Sequence, residues 1–354
     1  MPIRVFVTGG TGFVGRLIVE ALREKHPKWQ ITIFDLNQPD VPRANITYIK
    51  GSVTSSSDVS KTLKHIRPHA IIHTAGIVPP LAHRFSREME STVLAINVEG
   101  TRTMLSAAQT YNVSAFVWTG SCTAVTDNFK YSYRNINETY PTSTNSLIYG
   151  ESKAIAEKLV LDANKPGFAT CALRPSVLFG PGDHQLVPSI HACIANYETP
   201  YVLGDAENLW DVSYAPNIAD AHILAVENLL SKEKTAAGEA IFIQNEEKIT
   251  FRDFCLEVWK NFEHFPPFEL KIPLGLAQVV GLVAEAVTWV TGRTTTISRG
   301  SVMDACAVRY ASGKTATRLL GYQSKVGIEE GIKRSCDEYR NRLKTHESEG
   351  SRRS

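Results

Sequence analysis

The chain has 354 residues, of which 43% are hydrophobic and 21% are charged, and its formal net charge at pH 7 is +2. This composition supports a sizeable core and argues against global disorder, and the length suits one large α/β domain with a smaller second unit. The nearly balanced charge gives no basic face for nucleic acid, so we expect no nucleic-acid partner.

The six cysteines show neither a CxxC pair nor the spacing of metal ligands. We therefore expect reduced thiols in an intracellular protein, and we expect no metal site. The apolar residues Ile3 to Val7 run directly into glycines, which favours a first strand over a signal peptide.

Apolar runs and helical patterns alternate from the start of the chain. The predicted strands are Ile3–Thr8, Ile31–Asp35, Ile46–Lys50, Ala70–Thr74, Ala115–Thr119 and Ala169–Arg174. The predicted helices are Phe13–Lys25, Asp58–Ile66, Ser86–Tyr111 and Leu147–Leu161. Such alternation predicts a parallel sheet covered on both faces, and the glycine-rich first turn makes a doubly wound Rossmann fold the best interpretation.

The alternation weakens after Arg174, where prolines and glycines become frequent. Val212–Ala215 and Asn217–Leu230 are predicted as a strand and a helix that return to the main sheet. We assign residues 1–174, with the returning segment 211–246, to a dinucleotide-binding domain. Residues 175–210 and 247–344 form a smaller C-terminal substrate lobe, and the polar, aperiodic tail 345–354 is predicted to be disordered.

The stretch 273–290 is the most apolar part of the second half of the chain. Gln278, Glu285 and Thr288 interrupt it, so it is too short and too polar for a membrane span. We predict an amphipathic helix that covers an apolar substrate site or lies on a membrane surface.

Gly9, Gly12 and Gly15 stand three residues apart at the predicted junction of the first strand and the first helix. Gly9 can take the angles of a tight turn, Gly12 lets a pyrophosphate approach its amide, and Gly15 lets the helix pack close to the strand. The free N–H groups where the helix begins, at Phe13 and Val14, suit a phosphate. The pattern predicts a dinucleotide site.

Asp35 stands at the predicted end of the second strand, 20 residues after Gly15. A carboxylate at this place can accept both ribose hydroxyls of adenosine and would repel a 2′-phosphate, which favours NAD over NADP. An aspartate that only caps a turn or a helix is the alternative, and the nearby Arg16 could offset the repulsion.

Tyr149 and Lys153 are four residues apart on a predicted helix, so their side chains share one face. A free tyrosine has a pKa of about 10, and an ammonium beside it, with a positive nicotinamide, would stabilise the phenolate and lower that pKa. Tyr149 could then accept the proton of a substrate alcohol while hydride leaves for the cofactor. Without the dinucleotide motifs, the pair would indicate a core tyrosine and a solvated lysine.

Ser121 follows the predicted strand that ends at Thr119, and its hydroxyl could hold the substrate oxygen against Tyr149. Thr123 is the other candidate for this role, and a serine that merely ends a strand is the alternative. Asn97 lies inside a long predicted helix, where asparagine is a mediocre helix former. Its amide could bond the backbone and organise a proton-relay water, although a solvated or capping asparagine would show the same pattern.

These motifs resemble those of the extended short-chain dehydrogenase/reductase superfamily. Within it, the sequence is similar to the 3β-hydroxysteroid dehydrogenase family, and in particular to its branch of decarboxylating sterol-4α-carboxylate 3-dehydrogenases. The strings that carry this resemblance are Leu173–Asp183, Gly204–Asp211, Val212–His222, and Lys314 with Leu320-Gly321-Tyr322.

The resemblance implies that Ser121, Tyr149 and Lys153 form a catalytic trio that Asn97 assists. The residues then expected to contact NAD are Gly9, Gly12, Phe13, Val14, Gly15, Asp35, Ser52, Val53, Ala75, Gly76, Asn97, Thr119, Tyr149, Lys153, Pro175 and Val177. The residues expected to contact substrate are Val78, Ser121, Thr123 and Tyr149.

The sequence departs from the family pattern at two places. Similar proteins usually carry aspartate where this chain has Ser52, so one hydrogen bond to adenine is expected to be weaker. The usual Thr-Ser-Ser string is here Thr119-Gly120-Ser121, followed by Cys122, which indicates a reshaped floor near the substrate.

The leading hypothesis is a NAD-dependent dehydrogenase that oxidises the 3β-hydroxyl of a sterol or polycyclic terpenoid, with loss of carbon dioxide where a 4-carboxylate is present. The alternatives are a nucleotide-sugar epimerase, another extended short-chain reductase of secondary metabolism, and a non-catalytic dinucleotide sensor. Since a sensor would not need both Tyr149 and Lys153, the sequence favours an enzyme.

The expected small-molecule partner is apolar and polycyclic. The family resemblance also implies a homodimer through the helices 86–111 and 147–161. We expect a cytoplasmic protein, located at the surface of the endoplasmic reticulum membrane if residues 273–290 bind lipid peripherally.

Overall fold

A computed structural model describes residues 2–39, 41–291 and 298–353 of the chain. Its strands are β1 Arg4–Thr8, β2 Gln30–Asp35, β3 Ile46–Lys50, β4 Ala70–His73, β5 Ala115–Thr119, β6 Tyr133–Ile136, β7 Ala169–Pro175, β8 Val177–Phe179, β9 Tyr201–Leu203, β10 Leu209–Trp210, β11 Val212–Tyr214, β12 Ala240–Ile243, β13 Ile249–Thr250, β14 Leu270–Ile272 and β15 Arg309–Ala311.

The α-helices are α1 Phe13–Lys25, α2 Ser56–Ile66, α3 Glu90–Leu94, α4 Gly100–Thr110, α5 Thr123–Thr126, α6 Ile148–Asp162, α7 Leu186–Ala195, α8 Ala215–Leu230, α9 Phe251–Asn261, α10 Leu274–Thr291, α11 Arg299–Cys306, α12 Lys314–Leu320 and α13 Ile328–Arg353. A 3-10 turn, Leu81–His83, precedes α3, and a π-helical turn, Ala95–Glu99, joins α3 to α4.

The main sheet has the strand order β3-β2-β1-β4-β5-β7-β12, and every neighbouring pair in it is parallel. Thr8, the last residue of β1, is in register with Phe34 of β2 and His73 of β4. The carboxyl ends of the central strands therefore meet at one edge, which is where ligands bind in open α/β sheets. The predicted doubly wound Rossmann fold is confirmed.

The two faces of the main sheet are covered by separate apolar layers. On one face α1 and α8 pack with residues such as Ile18, Leu22 and Ile223, all fully buried. On the other face α2, α4 and α6 contribute residues such as Leu63 and Met104. Strands buried on both faces read as continuous apolar runs, which is why the first strands were visible in the sequence.

The remaining strands form small sheets in the order β13-β10-β15-β6, β8-β11 and β9-β14. They pack with α7, α9 and α13 around an aromatic cluster that includes Phe179, Trp210, Phe254 and Trp259. Phe179 and Phe254 meet edge to face with ring centroids 5.3 Å apart, a favoured geometry for aromatic pairs.

The structure corrects two expectations about individual elements. The helix predicted over Ser86–Tyr111 begins at Glu90 and contains the π turn 95–99. The strand predicted at Val212–Ala215 does not join the main sheet: β11 pairs with β8, because β12 already occupies the free edge of β7. The helix α13 extends to Arg353, and the disorder predicted for the tail 345–354 stays a prediction.

A buried ion pair links Glu157 of α6 to Arg174, near the carboxyl end of β7. Arg174 donates to both carboxylate oxygens of Glu157, at 2.8 and 2.6 Å, and both side chains are almost fully buried. The guanidinium also lies 5.0 Å from the ring centroid of Phe242. Because neither charge can reach water, each depends on the other.

Replacing Glu157 with glutamine keeps the side-chain shape but leaves Arg174 as a buried charge without a charged partner. We expect the free energy of unfolding, measured by urea denaturation, to fall by about 3 kcal/mol. The control is Asp162→Asn, which breaks the exposed ion pair with Lys158 on the same helix and should cost less than about 1 kcal/mol. Equal losses in the two variants would contradict a structural role for the buried pair.

Candidate active site

The glycine turn lies between β1 and α1 and leaves no room for side chains. Gly9 has a φ of +68°, and its N–H donates to the carbonyl of Phe34 at 3.0 Å. A Cβ added to Gly15 would lie 2.0 Å from the oxygen of Gly9, and one added to Gly9 would lie 2.8 Å from the nitrogen of Ala75. Only glycine therefore allows this close approach of backbone segments.

The start of α1 offers backbone donors at this turn. Gly12 is the N-cap residue and supplies no side-chain cap, and the first turn, which contains Phe13 and Val14, carries no acidic residue. The N–H groups at the start of a helix bind anions when no side chain claims them. The turn thus fits the pyrophosphate of a dinucleotide.

Asp35 ends β2 beside the glycine turn. Its carboxylate accepts hydrogen bonds from the backbone N–H groups of Thr11, at 3.1 Å, and Asn37, at 3.0 Å. These two bonds orient the carboxylate along the edge where the adenosine ribose of a dinucleotide would lie. They also show that Asp35 makes the backbone bonds of the turn-capping alternative, so both roles fit the same geometry.

The two residues expected beside adenine follow β3. The hydroxyl of Ser52 bonds the hydroxyl of Thr54 at 2.7 Å, so it is engaged within its own loop. Val53 is buried and packs against α4, where a Cβ added to Gly100 would lie 2.9 Å from it. Val53 is therefore part of the buried layer between the loop after β3 and α4, while the hydroxyl of Ser52 is bonded within its own loop.

Small residues after β4 connect the glycine turn to α6. The N–H of Ala75 donates to the hydroxyl of Thr8 at 3.2 Å. A Cβ added to Gly76 would lie 3.1 Å from the amide oxygen of Asn97 and 3.7 Å from the ammonium nitrogen of Lys153. The backbone of Ala75 and Gly76 therefore passes directly between the predicted cofactor edge and the predicted catalytic groups.

Asn97 lies in the π turn and is buried. Its amide accepts from the N–H of Ile77 at 2.8 Å and donates to the carbonyl of Ile77 and the hydroxyl of Ser152, both at 3.0 Å. The expected backbone bonds of this side chain are present. They tie the helix to the loop after β4, and π turns of this kind recur at functional sites.

Lys153 is buried beneath the same edge. Its ammonium donates to the carbonyl oxygen of Thr119 at 2.8 Å and lies 4.8 Å from the ring centroid of Trp118. Burial lowers the pKa of Lys153 to about 8, while the charge of Glu157 opposes this change. Lys153 is therefore a cation below pH 8 and is held by the end of β5.

Tyr149 departs from the sequence expectation. Burial raises the pKa of its phenol, and the hydrogen bond with Ser121 acts in the opposite direction. We expected Lys153 to lower this pKa, but the ammonium lies 5.8 Å from the ring centroid and is engaged by a carbonyl. In this structure the cost of burying a phenolate outweighs the nearby positive charge.

Ser121 and Thr123 have different roles in the geometry. The oxygen of Ser121 accepts from the hydroxyl of Thr123 at 2.8 Å and from its N–H at 3.2 Å. Ser121 is thereby left to donate its own proton towards Tyr149 or a substrate oxygen. Thr123, the other candidate, instead orients the hydroxyl of Ser121 through these two hydrogen bonds.

The remaining predicted residues lie around this group. The carbonyl of Pro175 accepts from the N–H of Cys122 at 2.9 Å, which joins the ends of β7 and β5. Val177 lines a small cavity that Cys122 and Asp211 share. Val78 is 37% exposed on the loop after β4, so a hydrophobic ligand could reach it.

Sequence reasoning missed three buried polar groups at this edge. His73 lies between the hydroxyls of Thr8, at 2.6 Å, and Thr101, at 3.1 Å, and burial lowers its pKa to about 3. Asp127 contacts the first turn of α6, and Glu157 lies near Lys153. No local motif marks these residues, because their partners lie far away along the chain.

The comparison with known families matches residues 6–274 to the 3-beta hydroxysteroid dehydrogenase/isomerase family. The decarboxylating sterol-4-alpha-carboxylate 3-dehydrogenase of Schizosaccharomyces pombe is 35% identical over 95% of this chain and 97% of its own length. The enzyme of the same name from Saccharomyces cerevisiae is 34% identical over 94% of this chain and 96% of its own length.

Solved structures share the fold at lower identity. UDP-glucose 4-epimerase of Thermotoga maritima, with UDP-glucose, has a TM-score of 0.73 at 19% identity and covers 96% of this chain and 100% of its own. A dTDP-glucose 4,6-dehydratase of Bacillus anthracis, in complex with NAD, has a TM-score of 0.71 at 17% identity and covers 96% of this chain and 97% of its own. At these identities the likeness establishes the fold alone.

The glycine turn allows a direct test of dinucleotide binding. We expect Gly15→Ala to weaken NAD binding at least about tenfold, because the new methyl group would displace the oxygen of Gly9. The measurement is isothermal titration calorimetry, with circular dichroism to establish folding. Gly275→Ala is the control, since nothing lies within 4 Å of its Cβ position, and NAD binding by folded Gly15→Ala at parental strength would refute the assignment.

Proposed function

Since this chain belongs to the 3-beta hydroxysteroid dehydrogenase/isomerase family, we propose that it uses NAD to oxidise the 3β-hydroxyl of a sterol or polycyclic terpenoid. Where the substrate carries a 4-carboxylate, the oxidation is followed by loss of carbon dioxide. The observation that carries the proposal is the arrangement of Ser121, Tyr149 and Lys153 at the same sheet edge as the glycine turn.

NAD fits the donor set of this edge. The glycine turn and the start of α1 would hold the pyrophosphate, and the carboxylate of Asp35 would hold the adenosine ribose. A 2′-phosphate would meet that carboxylate, which favours NAD over NADP. When bound, NAD supplies a hydride acceptor for the carbinol carbon.

The side chains supply the proton chemistry. The hydroxyl of Ser121, fixed by Thr123, donates to the substrate oxygen and orients it. Tyr149 removes the hydroxyl proton as general base. Because burial disfavours its phenolate, Tyr149 depends on positive charge nearby: Arg84 lowers the pKa of the phenol, and we expect Lys153 and the cation of an oxidised nicotinamide to add to this effect when the cofactor is bound.

Loss of carbon dioxide follows from the chemistry of the oxidised product. A 4-carboxylate is β to the new 3-ketone, so the electrons of the breaking carbon–carbon bond pass to the ketone oxygen as an enolate. The hydroxyls of Ser121 and Tyr149 can donate to that oxygen, and protonation of carbon 4 then completes the ketone. This second step requires little further machinery from the protein.

The proposal is tested by incubating the protein with NAD and a panel of 3β-hydroxysterols with and without a 4-carboxylate. We expect NADH from such substrates, and mass spectrometry should show loss of carbon dioxide from the carboxylated members. Tyr149→Phe should lower kcat about a thousandfold, whereas Tyr197→Phe, at an 84% exposed position, should leave it unchanged.

Two results would contradict this function. One is the absence of NADH with every sterol tested, and the other is conversion of a UDP-sugar by a protein that retains tightly bound NAD. The second result would support the epimerase alternative.

Association with a membrane surface is a further part of the proposal. Along α10, Leu276, Val279 and Val283 are each 57% exposed, while Ala277 faces inward. Phe265 and Phe268 are exposed on the preceding segment. In the part of the chain that the structure describes, none of the helices could span a membrane. Because the apolar side chains of α10 face solvent, we propose that this face lies in the lipid interface, at the endoplasmic reticulum or another membrane that holds the substrate.

The homodimer remains a prediction.

Co-sedimentation with phosphatidylcholine vesicles tests this surface. We expect the protein to bind and the double variant Val279→Gln, Val283→Gln to bind at least about tenfold more weakly, because two apolar contacts are lost. Val41→Gln, an exposed position far away in the sequence, is the control. Binding that is the same for all three proteins would exclude α10 as the lipid-facing element.

A further inference from the structure

Asp127 makes a tertiary contact with the first turn of the catalytic helix. It follows α5, is 3% exposed, and accepts the N–H of Gly150 at 3.2 Å. A Cβ added to Gly150 would lie 2.7 Å from both Cβ and Oδ2 of Asp127, so the side chain of Asp127 lies directly against the backbone of Gly150. The other carboxylate oxygen, Oδ1, is buried and has no hydrogen-bond partner in the part of the chain that the structure describes.

The contact with Asp127 supplies the side-chain cap that α6 lacks at its own N-cap residue. α6 begins at Ile148, and its N-cap residue, Leu147, has no side chain that can accept a hydrogen bond. Gly150 is the third residue of the helix, and an N-cap side chain ordinarily accepts the N–H of that position. Asp127 therefore caps α6 from another element, and its negative charge lies at the positive end of the helix dipole.

The guanidinium of Arg84 is a positive charge near Asp127 and the start of α6. Its guanidinium makes no hydrogen bond or ion pair among the described residues. The segment that follows it is fixed at two points: Phe85 packs against Gly300 of α11, and Arg87 pairs with Glu151 of α6 at 2.9 Å. Arg84 is thereby held near the start of α6 without being neutralised by a contact partner.

The charges act on Tyr149 in opposite directions. Arg84 lowers the pKa of the phenol and Asp127 raises it, while Ser121 lowers it through a hydrogen bond and Cys122 raises it. Burial raises the pKa of Asp127 itself to about 6. Arg84, Arg309 and the N–H of Gly150 act to lower this pKa, and Asp304 acts to raise it.

We propose that Asp127 and Arg84 are a pair of positioning residues of opposite charge: Asp127 caps the catalytic helix, and together they set the electrostatic potential at the phenol oxygen of Tyr149. The kinetic consequence rests on the proposed function. The electrostatic coupling does not, because it concerns groups of the protein alone.

The coupling can be observed without substrate. Tyr149-Gly150 is the only Tyr-Gly dipeptide in the sequence, so carbonyl-13C tyrosine with 15N-glycine labelling isolates the Gly150 amide in NMR spectra. We expect this amide to titrate with a midpoint near pH 6 as Asp127 ionises. The titration should disappear in Asp127→Asn, and its midpoint should rise in Arg84→Met, since the cation no longer favours the carboxylate.

The pH dependence of kcat for sterol oxidation provides the second measurement. Activity rises with pH as the phenol ionises, so Asp127→Asn should shift the profile to lower pH and Arg84→Met to higher pH, each by about half a unit. The double variant should return close to the parent. Asparagine keeps an acceptor for Gly150, so a purely structural role for Asp127 predicts no shift.

The controls are Asp162→Asn and Lys158→Met, which remove a carboxylate and a cation at the far end of the same helix. They should leave both the amide titration and the profile unchanged. A Gly150 amide that does not titrate, or that titrates equally in Asp127→Asn, would overturn the inference, as would kinetic shifts of the same sign in the two variants. If no sterol yields NADH, the proposed function fails and the amide titration alone decides this inference.

Discussion

The hydrogen bond from the ammonium of Lys153 to the carbonyl of Thr119 is the contact on which the site depends. It joins the catalytic helix α6 to the carboxyl end of β5, the strand that also positions Ser121. Because the lysine is buried, the ammonium cannot exchange this carbonyl for water without moving the helix. The distance between Tyr149, the proposed general base, and Ser121 is thus set by the packing of a helix on a parallel sheet.

Burial has electrostatic consequences throughout the site. It lowers the pKa of Lys153 and raises that of Tyr149, so in both residues it disfavours the charged form. The protein offsets this cost with charged partners: Glu157 favours the ammonium, and Arg84 favours the phenolate. The energy of an ionised phenol therefore depends on residues from several elements, and the cation that lowers its pKa in this structure is Arg84, which lies outside the helix.

We expect the part of the chain outside the main sheet to select the substrate. The fold is shared with sugar-nucleotide enzymes at 17% and 19% identity, whereas the family relative from Schizosaccharomyces pombe is 35% identical over 95% of the chain. In this protein the small sheets pack around an aromatic cluster, and α10 presents leucines and valines to solvent. An apolar lobe of this kind is consistent with a substrate drawn from lipid.

The sequence by itself determined the main sheet and the place of the glycine turn, and it singled out Tyr149, Lys153 and Asp35 as candidate site residues, because strand periodicity and short motifs are local properties of the chain. It also indicated the family through longer strings. Tertiary structure alone decided that β11 leaves the main sheet, that Lys153 bonds Thr119, and that burial raises the pKa of Tyr149. These features depend on contacts between residues distant in the sequence and on exclusion of water, and no local pattern encodes either.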